Sequence, residues 1–103
     1  MKEKITTKDY IFTLTKDGVI VKYIYDTSLK DINLSKINIE MVGIMPFADK
    51  NKPWVVSIIS KESIHKLQMQ ITPTLDVVGF HFDNYTTAVS VQALILQSMS
   101  EQK

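Results

Sequence analysis

The chain has 103 residues, 45% hydrophobic and 22% charged, which suits one folded domain of residues 1–103 and excludes a disordered or low-complexity protein. Twelve lysines, no arginine and eleven acids leave a net charge of +1. That balance disfavours a basic footprint for nucleic acid or anionic membrane, and without Arg there is no bidentate fork to read bases.

Cysteine is absent, so disulfides, thiolate nucleophiles and zinc–thiolate sites are excluded together. The N-terminal residues carry charges but no apolar core, unlike a secretory signal, and no apolar stretch is long enough to span a bilayer. A cytoplasmic protein that does not enter the membrane is the expectation.

Residues 10–26 hold two β-rich runs around Asp17-Gly18, a pair that favours a two-residue hairpin turn. With those two residues as the loop, Leu14 faces Val21, Phe12 faces Tyr23 and Tyr10 faces Tyr25. One face of the hairpin then holds most of the aromatic and apolar bulk, and the other holds Thr13, Thr15 and Lys22 among Ile11, Ile20 and Ile24. Residues 27–35 are polar with isolated aliphatics and read as a connection with room for a helical turn. Ile37, Ile39 and Met41 alternate with Asn38 and Glu40, the period of a half-buried strand that ends at Pro46.

Residues 47–53 are the most loop-like stretch, and Trp54–Ser60 is a short apolar strand. Phe47, Lys50, Lys52 and Trp54 make a candidate recognition loop, because aromatics beside lysine recur at protein interfaces and single-strand-binding surfaces. The competing reading makes Trp54 a core anchor and the lysines a solvated turn.

Residues 61–71 fit two templates. As a helix they offer Ser60 as cap, a stripe of Ile64, Leu67 and Ile71, and a Glu62–Lys66 pair. As a strand they set His65, Leu67, Met69 and Ile71 against Lys66, Gln68 and Gln70. The strand is preferred, since a hairpin across Pro73-Thr74 then brings Leu67 to Phe80 and Met69 to Val78. Leu75–Phe82 is a strand in either case.

From Asn84 to Ser100 seventeen residues pass without a charge, capped by Asp83 or Asn84 and patterned as a helix. Tyr85, Ala88, Val89, Val91, Ile95, Leu96 and Met99 form its wide apolar arc, with Gln92 inside the arc and Leu94 opposite. A solvated helix face normally carries Lys and Glu. The uncharged side formed by Thr87, Ser90, Leu94, Gln97 and Ser98 is therefore expected to be a second contact surface, on which Leu94→Asp would break association and spare the fold.

Nothing in the chain assembles catalytic chemistry. Two histidines, His65 and His81, are too few for a self-sufficient zinc site, and the three glycines are never clustered as a phosphate-cradling loop requires. There is no Gly-x-Ser-x-Gly elbow and no Ser-x-x-Lys, and the acids are scattered. No catalytic residue, metal or cofactor is expected.

The fold expected is α+β, an antiparallel sheet of about five or six strands with a C-terminal helix packed on one face. The function expected is that of a non-catalytic protein-interaction module. It would be homo-oligomeric or bind another protein, through a sheet edge or the uncharged helix. The alternatives are a single-stranded nucleic-acid-binding protein that uses Tyr, Phe and Trp rings, and a small enzyme or apolar-ligand carrier with a pocket between helix and sheet.

Overall fold

A computed structural model of the chain describes residues 4–62 and 77–101. Of the segment with two templates, only Lys61 and Glu62 fall within it, and both are helical. His65 and the hairpin across Pro73-Thr74 lie outside the described residues. The backbone groups into two compact units, residues 1–36 with 93–103, and residues 37–92.

The first unit holds β1 (Lys4–Thr6), β2 (Tyr10–Thr15), β3 (Gly18–Tyr23) and β4 (Ile32–Asn33), an antiparallel sheet in chain order, followed by a 3₁₀ turn at Leu34–Lys36. The second holds β5 (Ile39–Pro46), β6 (Trp54–Ser60) and β7 (Val77–Phe82), also antiparallel with β6 central. Helix α1 (Tyr85–Glu101) closes the chain, its first half grouped with the second unit and its second half with the first. The class is α+β as the residue pattern predicts. The strands, however, divide between sheets of four and three instead of one sheet of five or six.

Alternation along β2 and β3 separates the faces as expected: Phe12, Val19 and Val21 are buried, while Lys22 is exposed. The register differs by two residues. Tyr10 pairs with Tyr23, Phe12 with Val21 and Thr15 with Gly18, so Lys16-Asp17 form the loop and the glycine follows it. Gly18 takes the positive φ, 134°, which a two-residue turn at Asp17-Gly18 would have demanded of Asp17 as well. The Thr15 hydroxyl secures the corner, donating to the Gly18 carbonyl at 2.8 Å and accepting from the Asp17 N–H at 3.2 Å. Gly18→Val is expected to lower stability by about 1–3 kcal/mol, because the side chain must adopt a backbone region that L-residues avoid. A urea midpoint measured against the parent protein checks it.

The second sheet turns on a bulge. Ile39 pairs with Ser60 and Met41 with Ile59, so Glu40 is the extra residue. The alternation of Ile37, Ile39 and Met41 therefore does not run through, and Met41 points outward, half exposed, while Val42 takes the buried position. Val42, Ile44, Val56, Ile58, Val78, Phe80, Trp54 and Phe82 share one face of this sheet by register. Across that face the start of α1 is pinned, the Tyr85 and Trp54 rings lying 4.8 Å apart at 66°.

Candidate protein interface on the C-terminal helix

The Asn84 carboxamide begins α1, its Oδ1 accepting from the N–H groups of Thr86 at 2.7 Å and Thr87 at 3.4 Å. Asp83 is not the cap. The helix then buries Ala88, Val91, Leu94, Ile95 and Ser98. Its exposed stripe is Tyr85, Val89, Ala93, Leu96 and Ser100, with Thr86 beside it. At 100° per residue the inward direction is rotated by roughly a quarter turn from the one that hydrophobicity alone selects.

The residues predicted to form the contact surface are therefore placed differently. Leu94 is 3% exposed, Ser98 is buried, and Thr87, Ser90 and Gln97 are half buried, all within a single chain. Two of its polar members, Ser90 and Ser98, need no external partner to be accommodated. Ser98 donates to the Ile95 carbonyl at 2.7 Å and Ser90 to the Thr86 carbonyl at 3.0 Å, so each hydroxyl is satisfied inside the helix. What sequence reasoning missed is the outer stripe. Its signal is present in Tyr85, Val89 and Leu96, but the wide apolar arc sets all three on the inward side and leaves Ala93 out.

Three exposed apolar groups occur among the described residues. Ile24, Tyr25 and Leu29 follow β3 but are interrupted by Asp26 and flanked by Lys22 and Lys30. Met41, Met45 and Phe47 lie on the face of the second sheet opposite Trp54, beside Glu40, Asp49 and Lys50. On α1, Tyr85 at 52%, Val89 at 39% and Leu96 at 45% exposure are the only such group with no charged residue from one end to the other. Exposed apolar area of this kind, free of charge, is the surface most favourably removed from water.

The edges at β1, β4 and β5 are less open to pairing. β1 and β4 are three and two residues long. On β5 the Phe47 N–H donates to the Pro53 carbonyl at 2.8 Å, which fixes the alternation and turns the backbone groups of Val42, Ile44 and Pro46 away from β6. The Gln92 carboxamide donates to the Val42 carbonyl at 2.9 Å, Pro46 has no N–H, and the bulge at Glu40 distorts the strand's start. Short edges, bulges, prolines and covering groups are the ordinary means of blocking strand addition.

The candidate recognition loop does not form a common surface. The Phe47 ring lies 4.9 Å from the His81 ring on one face of the sheet, whereas Trp54 packs on Tyr85 across the other. Lys50 is exposed and Lys52 half buried. The other rings are also engaged: Tyr10, Phe12, Phe80 and Phe82 are buried, and Tyr10, Tyr23 and Tyr25 pack edge to face at 5.7 to 6.1 Å. Rings held this way present no flat row for bases to stack on.

In that tyrosine cluster burial pushes the Tyr23 phenol pKa above its ordinary value of 10.0, with Tyr25 and Tyr10 adding to the rise. A raised phenol pKa favours the neutral form in the folded chain. The resulting stability is present in full below the unfolded pKa and is lost as pH rises from there through the folded pKa. The Tyr23 contribution to the thermal midpoint should hold steady up to about pH 10 and fall beyond it. Tyr23→Phe is expected to flatten part of that fall.

Among the described residues no three His, Asp or Glu side chains gather closely enough to hold a metal ion, and no helix is long and apolar enough to cross a membrane. No family model, curated protein or solved structure matches the chain.

Proposed function

We propose that this chain is a non-catalytic protein-interaction module that engages its partner through the uncharged outer face of α1. The observation that carries this reading is the stripe itself: half-exposed Val89 and Leu96, with Ala93 between them, on a segment of seventeen residues without a charge. Burying such a face leaves no ion desolvated and no like charges opposed. The sheet-edge version of the same function has less support at β1, β4 and β5, because β1 and β4 are short and β5 is blunted by Gln92, Pro46 and the bulge. The single-stranded nucleic-acid alternative would need open ring faces, and Tyr10, Phe12, Phe80 and Phe82 are buried.

A photo-crosslinking residue placed at Leu96 tests the reading in cells that make the protein. Leu96 is expected to give a discrete product of defined mass, and the same probe at Met45, on the second sheet, to give none. Products from Met45 with none from Leu96 would transfer the interface to that sheet face and overturn the proposal.

A further inference from the structure

We infer that the occupant of this face is a second copy of the chain, whose α1 lies antiparallel across the first with the two-fold axis passing beside Ala93. The inference rests on the reading of the outer helix face as an interface and names its partner. The stripe is nearly symmetrical about Ala93, with Val89 and Tyr85 toward the helix start and Leu96 and Ser100 toward its end. An antiparallel copy therefore sets each Val89 against the partner's Leu96. The smallest side chain of the stripe falls at the crossing, where two backbones come closest.

Electrostatics permit the same partner. A surface without charge opposes its own copy without repulsion. The net charge of +1 adds almost none. The helix lacks an acidic residue in its first turn and a basic one in its last, and Asp83, just ahead of the Asn84 cap, is the acid nearest its start. In an antiparallel pair the positive end of one helix lies beside the negative end of the other, whereas a parallel pair would bring like ends together. Such a pairing is isologous and closes at two copies.

The absence of native cysteine makes disulfide trapping a direct test. Val89→Cys, Ala93→Cys and Leu96→Cys all lie on exposed positions, and circular dichroism verifies that each variant is folded. Under mild oxidation Ala93→Cys is expected to give a covalent homodimer. Val89→Cys and Leu96→Cys should cross-link poorly alone but efficiently when mixed with each other. Light scattering should return twice the chain mass for the parent, and Leu96→Asp should weaken association by at least about tenfold.

Efficient homodimers from all three variants alone would mean a parallel pair and overturn the antiparallel arrangement. A parent protein that stays monomeric at every concentration, with no trapping, overturns the second copy as occupant. If the Leu96 photoprobe still yields a product of another mass, the interface reading survives that result; if it does not, both fall. A dimer unaffected by Leu96→Asp would place the contact elsewhere and overturn both together.

Discussion

Leu94→Asp is expected to unfold the chain, whereas Leu96→Asp, two residues further along the same helix, should leave it folded and without its partner. Leu94 is 3% exposed, and an aspartate there must either bury an unpaired carboxylate or expel its segment from the core. Substitutions of this kind cost more than about 4 kcal/mol, a large part of the 5–15 kcal/mol that holds a small domain together. Leu96 is 45% exposed, so a carboxylate there reaches water and should change stability by no more than about 0.5 kcal/mol. Thermal melts by circular dichroism separate the two variants, and sizing shows the lost association of the second. Equal destabilisation of both would mean that α1 does not present Leu96 to solvent.

Phe80→Ala should be the most damaging simple truncation in the second sheet. Phe80 is completely buried and pairs across β6 with Val56, which is also completely buried. Removing the ring forfeits its transfer free energy and leaves a void among β-branched neighbours that cannot collapse into it. The expected loss is about 3–5 kcal/mol. Met45→Ala, on the opposite face of the same sheet and half exposed, is the matched control, with a change within about 0.5 kcal/mol. Trp54, the single tryptophan, stands on β6 next to this core, so its fluorescence in urea follows the transition directly. A small loss for Phe80→Ala would contradict its placement.

The faces of the first hairpin were legible because alternation has a period of two and survives any even shift. Its register was not, because Asp17-Gly18 admits two placements, and the structure takes the one that asks only the glycine for a positive φ. In the second sheet, Ile39 and Met41 look equivalent in the sequence. The bulge at Glu40 separates them, and no local pattern announces it. The class of the fold, the existence of α1 and its cap among Asp83 and Asn84 could all be read from residue types. Its rotation could not. Ser90 and Ser98 look like solvent-facing residues but bond back to their own helix, which lets the inward side carry hydroxyls and releases Val89 and Leu96 to the surface. The lack of charge marks the helix but does not say which of its sides lies outward.

Gln92 joins two properties that would otherwise be independent. Its carboxamide holds the Val42 carbonyl, an acceptor on the margin of β5 that faces away from the rest of the sheet. Anything that frays α1 back beyond this residue also releases that acceptor, beside the outward-facing backbone of Ile44, and offers a neighbouring chain the start of a new ladder. The integrity of the helix thus doubles as a guard against runaway polymerisation.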